Sequence, residues 1–157
     1  MNNILKFIVS LALTLGVGFL GSIFTTPEIG GWYQTIRKPS WIVPNNVFGP
    51  VWTVIYILMG IALFLVWKRQ MVPGYRRTAF ITFFVQLFLN FCWSFLFFRM
   101  HQITWAFIDI VLLWIAILFC IFSFARTSKL AAWLLVPYIS WVSFAAILNY
   151  SIMQLNQ

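Results

Sequence analysis

The chain has 157 residues, of which 63% are hydrophobic and only 8% are charged, and its formal net charge is +8. A soluble domain carries roughly 25% charged residues, so this composition excludes a soluble globular protein, and the length allows one domain. The Lys and Arg residues stand singly or in pairs between apolar runs, which argues against a nucleic-acid partner. The sequence therefore predicts a single domain, residues 1–157, embedded in a lipid bilayer.

Five apolar runs follow one another along the chain, each with the roughly 20 residues that a helix needs to cross a bilayer. They are residues 4–25, 47–67, 79–98, 103–125 and 130–153. Barrel strands would alternate in polarity over about ten residues, whereas these runs are continuous. The predicted fold is an all-α membrane protein, a bundle of five transmembrane helices. The first run fits a signal-peptide cleavage site poorly, so we read it as a retained helix.

The connection between the first and second runs, residues 26–46, is the only long one. It is rich in aromatic and basic side chains, which a disordered linker would lack. Trp and Tyr favour the headgroup region, and long ordered loops are often functional. We expect a structured loop that lies on the membrane surface or folds over the bundle as a lid. Its characteristic residues are Trp32, Tyr33, Arg37, Lys38 and Trp41.

The basic residues predict an orientation in the membrane. Seven lie near the N-terminus and in the second and fourth connections, and three lie in the first and third. Because cytoplasmic loops carry an excess of Lys and Arg, we expect the N-terminus in the cytoplasm. The C-terminus and the long loop are then outside.

Three runs carry stripes of aromatic and hydrogen-bonding side chains at helical spacing. The members are Trp52 and Tyr56 on the second run, Gln86, Asn90 and Trp93 on the third, and Tyr138, Trp141, Ala145 and Asn149 on the fifth. One interpretation is hydrogen bonds that join helices. The other is a shared cavity for a flat, mostly apolar ligand, whose rings stack on indoles and phenols.

Two further residues have ionisable side chains, which are rare in or next to membrane-spanning helices. Asp109 is the only acid inside a predicted helix, and a hydrogen-bonded structural carboxyl is favoured because a proton relay needs a chain of titratable groups. His101 is the only histidine, and it stands in a short connection without a cluster of metal ligands. The sequence thus predicts no metal site, no cofactor and no conventional hydrolytic site.

Four segments have a recognisable pattern. They are Trp32-Tyr33 with Lys38-Pro39-Ser40-Trp41, Pro50-Val51-Trp52 with Tyr56, Gln86 to Trp93, and Pro137-Tyr138 with Trp141, Ala145 and Asn149-Tyr150. With Trp105 and Asp109 they span residues 30–150. In these motifs and their spacing the chain resembles the translocator protein, or tryptophan-rich sensory protein, family.

That resemblance implies a bacterial cell-membrane protein, commonly a homodimer, with a ligand pocket between five helices. The implied partners are porphyrins or other tetrapyrroles and synthetic benzodiazepine-type and isoquinoline-carboxamide ligands. The pocket residues that it implies are Trp52, Tyr56, Asn90, Trp93, Tyr138, Trp141 and Ala145. The long loop would be the lid, and from their charge, not from the resemblance, we expect its Arg37 and Lys38 to meet the propionates of a porphyrin.

The resemblance also leaves the activity open. Some members are described as degrading protoporphyrin with light and oxygen, and in that case Trp52 and Trp141 would be the catalytic residues. Transport of tetrapyrroles or lipids is the alternative function. The sterol motif of the family requires a basic residue after a tyrosine, whereas none follows Tyr150. We therefore expect weak or no cholesterol binding.

Overall fold

The computed structural model describes residues 2–70 and 72–157, which fold into helices and short connections without a strand. The helices are α1 (Asn3–Ile29), α2 (Trp32–Thr35), α3 (Asn45–Trp67), α4 (Pro73–Ser94, continued by a π-helical turn, Phe95–Arg99), α5 (Ile103–Ala125), α6 (Lys129–Leu134) and α7 (Val136–Leu155). Five stretches are long and apolar enough to span a membrane: α1, α3, α4 with its π-turn, α5, and α6 with α7. The prediction of an all-α membrane protein with five transmembrane helices is confirmed.

Most of the spans are longer than the apolar runs, and the largest differences are at the end of the first span and at the start of the third. The third span begins at Pro73 instead of residue 79, because proline suits the first turn of a helix and the following basic residues continue it. Arg76 and Arg77 are thus helical, although their charge removed them from the hydrophobic pattern. Similarly, α1 continues through Pro27 to Ile29. The fifth span is interrupted at Leu135, just before Pro137.

The first and second transmembrane helices form a close pair because glycines let their backbones approach. A Cβ atom on Gly60 would lie 2.8 Å from side-chain atoms of both Leu11 and Thr14, and one on Gly18 would lie 2.5 Å from the Tyr56 ring. The Thr14 hydroxyl donates to the Tyr56 carbonyl oxygen at 2.8 Å. On the other side of the bundle, α5 packs between α4 and α7.

The connection between α1 and α3, residues 30–44, folds over one end of the bundle, and we call it the lid. Tyr33 of α2 is buried, with its ring centroid 6.2 Å from Phe97 and 5.8 Å from Phe98. The side chain of Asn156, at the end of α7, bonds the backbone of Arg37 twice, at 3.0 and 2.9 Å. The expected long structured loop is therefore present, and it starts at residue 30 because α1 is longer than predicted.

Candidate functional site

A cavity of about 390 Å³ lies between α1, α3 and the end of α4. Its inner wall consists of Trp52, Tyr56, Trp93 and Ser94. The α1 side contributes small and polar residues as well as apolar ones, namely Leu15, Gly18, Phe19, Gly21, Ser22, Thr25, Thr26 and Ile29. Ligand sites usually have a volume of roughly 300–1,000 Å³ and mostly apolar walls with a few polar groups, and this cavity has both properties.

A second cavity, of only about 30 Å³, lies directly under the lid. Tyr33 of the lid, Ala145 and Asn149 of α7, and the rings of Trp52 and Trp93 border it. The space is enough for about one water molecule and not for an aromatic ring. Trp52 and Trp93 line both cavities, so they separate the larger space from the smaller one.

A chain of hydrogen bonds joins three helices beside these cavities. The Tyr56 hydroxyl donates to Asn90 Oδ1 at 2.5 Å, and Asn90 Nδ2 donates to the Tyr138 hydroxyl oxygen at 3.0 Å. Tyr138 in turn donates to Gln86 Oε1 at 2.8 Å. All four side chains are buried. We call this set the polar network, and it uses both the acceptor and the donor of the Asn90 amide to hold α3, α4 and α7 together.

A second interhelical link lies closer to the lid. The indole nitrogen of Trp93 donates to Asn149 Oδ1 at 3.0 Å, and Asn149 Nδ2 donates to the carbonyl oxygen of Ile103 at 3.1 Å. These bonds fix the plane of the Trp93 ring, which is stacked on Phe97 with centroids 5.3 Å apart. The wall between the two cavities is therefore rigidly held on its α4 side.

The predicted pocket residues do not all border the same space. Trp52, Tyr56 and Trp93 line the larger cavity, and Ala145 lines the smaller one together with the two indoles. Asn90 and Tyr138 belong to the polar network and border neither cavity. The Tyr138 ring still stands edge-on to Trp52, with centroids 6.2 Å apart.

Trp141 also borders neither cavity. Its ring packs against Phe48 at 5.5 Å and Phe144 at 5.1 Å between centroids, and its buried indole nitrogen has no partner among the described residues. Trp52 and Trp141 thus do not face each other across one open space. The assignment of these residues to a bound ligand stays a prediction.

The inner wall of the larger cavity has two polar groups that the protein itself leaves unused, and the Thr26 hydroxyl on the α1 side also has no hydrogen bond among the described residues. In the part of the chain that the structure describes, neither the Trp52 indole nitrogen nor the Ser94 hydroxyl makes a hydrogen bond. The sequence reading missed Ser94 and every α1 residue of this cavity. The available signal was the group of small residues in the second half of the first run, among them Gly18, Gly21 and Ser22.

The lid contributes one buried phenol and two cations. Lys38 Nζ donates to the carbonyl oxygens of Tyr33 and, at 3.1 Å, of Ile36, and it lies 4.7 Å from the Tyr33 ring centroid. Burial raises the pKa of Tyr33 to about 12, so the phenol that faces the smaller cavity is neutral at physiological pH. Arg37 is exposed. Trp41 is half exposed and stands 6.0 Å from Phe144.

Asp109 is buried on α5, and its Oδ2 atom has no hydrogen-bond partner among the described residues. The prediction of a hydrogen-bonded carboxyl is wrong for this oxygen. Within residues 2–70 and 72–157, no three His, Cys, Asp or Glu side chains are grouped so that they could hold a metal ion.

Comparison with known proteins gives a consistent set of relatives. The model of the TspO/MBR family matches residues 10–155. The tryptophan-rich protein TspO of Chlorobaculum tepidum is 46% identical over 98% of both chains. The protein of the same name from Archaeoglobus fulgidus is 42% identical over 98% of this chain and 99% of its own. The translocator protein of Homo sapiens is 38% identical over 94% and 87%, respectively. These matches include every helix that borders the two cavities.

Proposed function

The chain belongs to the TspO/MBR family, as its motifs indicated, and from that premise we propose that it is a membrane receptor for a flat, mostly apolar ligand of the tetrapyrrole class. One observation carries the proposal. The larger cavity is lined by the indole side chains of Trp52 and Trp93, and its inner wall contains two unused hydrogen-bonding groups. Indole faces stack on planar rings, and a few fixed polar groups then orient the ring edges.

The two cavities together match a large ring better than either does alone. A ring ligand that enters the larger cavity meets Trp52. The far edge of the ligand reaches the smaller cavity only if the smaller cavity widens. The nearest movable element is the lid, which contributes Tyr33. Arg37 is exposed on the lid and makes no ion pair among the described residues, so its guanidinium is free to bind an anionic propionate. Lys38 is less available because two carbonyl oxygens hold its ammonium.

The ligand enters from the membrane in this proposal. The lining residues Phe19 and Ser22 of α1 and Thr53 of α3 are exposed, so the larger cavity opens sideways between these two helices. Residues exposed on a transmembrane span face lipid, and a mainly apolar ligand dissolves there. The seven basic residues near the N-terminus and in the second and fourth connections favour a cytoplasmic N-terminus. With that orientation, this opening lies in the outer half of the bilayer.

Two related activities have less support. A photo-oxidative role for both Trp52 and Trp141 requires that both rings touch the ligand, but Trp141 borders neither cavity. Active transport requires a charged or titratable pathway, and Asp109 is the only acid in mid-membrane. We therefore restrict the proposal to binding.

The test is a titration of the purified protein in mild detergent with protoporphyrin, followed by quenching of tryptophan fluorescence. Trp52→Leu removes a stacking face and a donor, and we expect a loss of about 1 kcal/mol, close to a fivefold weaker Kd. The matched control is Trp105→Leu, because Trp105 on α5 is 61% exposed and lines neither cavity. Equal affinities for both variants and the unchanged protein would contradict the proposal, since they would indicate partition into detergent.

A further inference from the structure

The lid begins next to a side-chain contact between two residues that are rare in this chain. His101 is the only histidine, and Glu28 is the only acid apart from Asp109. Although they are 73 positions apart, His101 Nε2 lies 3.1 Å from Glu28 Oε2. Glu28 is in the last turn of α1, and His101 is in the short connection between the π-turn and α5. The pair therefore joins the end of α1 to the connection that precedes α5, next to the lid.

The imidazole also binds the lid directly. It is stacked on the Trp32 ring, with centroids 4.2 Å apart and planes 13° from parallel. Trp32 is in turn edge-on to Phe97 at 5.6 Å. His101 has a φ of 55°, a left-handed backbone conformation that is uncommon outside glycine. Such a conformation persists when its surroundings fix it, and here Glu28 contacts the edge of the ring at Nε2 while Trp32 covers one face.

Two glycines lie between these two partners. Gly30 and Gly31 separate Glu28 from Trp32, and a Cβ atom on Gly30 would have nothing within 4 Å. Gly31 has φ −106° and ψ −116°, a combination outside the usual helix and strand regions that glycine adopts readily. The Gly30–Gly31 link can therefore act as a hinge, and His101 holds the residues on both of its sides.

We propose that Glu28, His101 and Trp32 form a protonation-dependent latch that keeps the lid closed over the smaller cavity. Release of the latch frees the hinge, and Tyr33 then moves away from the cavity that a large ring would need. The role for a ring ligand rests on the proposed function, whereas the latch itself does not. Glu28 and His101 are positioning residues, since neither lines the larger or the smaller cavity.

The charges around the pair decide the direction of the pH effect. Glu28 comes from α1, Arg37 and Lys38 from the lid, and Arg99 from the π-turn, and within the described ranges only Glu28 is within ion-pair distance of His101. A protonated imidazole pairs with the Glu28 carboxylate as opposite charges. Histidine side chains in general change charge between about pH 5 and 8. Loss of the imidazole proton therefore removes the attraction and loosens the latch.

The test is hydrogen–deuterium exchange of the lid, without ligand, in the full chain at about pH 5.5 and pH 8, corrected for the intrinsic exchange rate. The amide of Arg37 is a suitable reporter because it bonds the Asn156 side chain only while the lid is docked. We expect faster corrected exchange at the higher pH. At the lower pH, Glu28→Gln and His101→Gln should each raise exchange about two- to fivefold, which is the scale of an exposed ion pair.

The double variant should exchange no faster than His101→Gln alone, because both changes break the same contact with Glu28 and the histidine change also removes the stack on Trp32. Arg99→Gln is the control for loss of a charge at the same rim, and it should behave like the unchanged protein. Lid exchange that is independent of pH, or unaffected by Glu28→Gln, would overturn the latch. Protoporphyrin that fails to bind the unchanged protein would instead overturn the proposed function and leave the exchange result intact.

Discussion

Two neighbouring regions of the bundle use the same kinds of side chain in opposite ways. In the polar network, the Tyr56 and Tyr138 hydroxyls and both polar atoms of the Asn90 amide are hydrogen-bonded to one another or to Gln86. In the larger cavity, the Trp52 indole nitrogen and the Ser94 hydroxyl have no partner among the described residues. Tyr56 belongs to both regions, because its ring lines the cavity while its hydroxyl is part of the network.

The difference shows that residue type alone does not identify a ligand group in a membrane bundle. Within lipid, a polar group without a hydrogen bond costs free energy, which favours a partner in the protein or a place next to a cavity. Groups that bond one another across helices stabilise the packing, as in the network. Groups that border open space without a partner remain available to a ligand, as in the cavity. The first region should therefore respond to mutation in its stability and the second in its affinity.

The largest effect is expected for Asn90→Leu. This change leaves the buried hydroxyls of Tyr56 and Tyr138 without their shared partner, and we expect a loss of about 2–3 kcal/mol in the free energy of unfolding. Thermal unfolding in detergent, followed by circular dichroism, measures it. A variant with unchanged stability but much weaker protoporphyrin binding would show that Asn90 faces the ligand, as the family resemblance implied, and would erase the distinction between the two regions.

The fold was predictable because the bilayer restricts which secondary structures can span it. A continuous apolar run of sufficient length can only be a helix there, so five spans followed from run length alone. The ends were less predictable. Arg76 and Arg77 interrupt the hydrophobic pattern without disfavouring a helix, so the start of α4 was misplaced.

The site was predictable in part, for a different physical reason. Helical spacing correctly put the polar stripes of α3, α4 and α7 on the faces that meet, since the structure joins Tyr56, Asn90 and Tyr138 by hydrogen bonds. Spacing within one helix does not reveal which groups will bond each other across helices. It also did not reveal that α1 closes the larger cavity, because that depends on the close approach of Gly18 to Tyr56.

A second, smaller effect is expected where α1 meets the boundary between the two regions. In Gly18→Ala the new Cβ atom would lie 2.5 Å from two atoms of the buried Tyr56 ring, so α1 or the ring must shift. We expect a loss of about 1–2 kcal/mol in stability, since overpacking outweighs the better helix propensity of alanine. Gly16→Ala is the matched control, because its Cβ atom would meet nothing within 4 Å. Equal stability of the two variants would show that α1 and α3 are not in close contact at Gly18.

The smallest effect is expected for Ser94→Ala, which tests whether an unused group belongs to the ligand. Loss of one neutral hydrogen bond should weaken protoporphyrin binding by about 0.5 kcal/mol, roughly twofold, while the unfolding temperature stays the same. Stability should not fall, because the Ser94 hydroxyl has no hydrogen-bond partner in the described part of the chain. The control is Ser140→Ala on α7, whose hydroxyl bonds only its own helix at Val136. A drop in stability for Ser94→Ala without a change in affinity would place Ser94 with the polar network, and the inner wall of the cavity would then lose one of its two free polar groups.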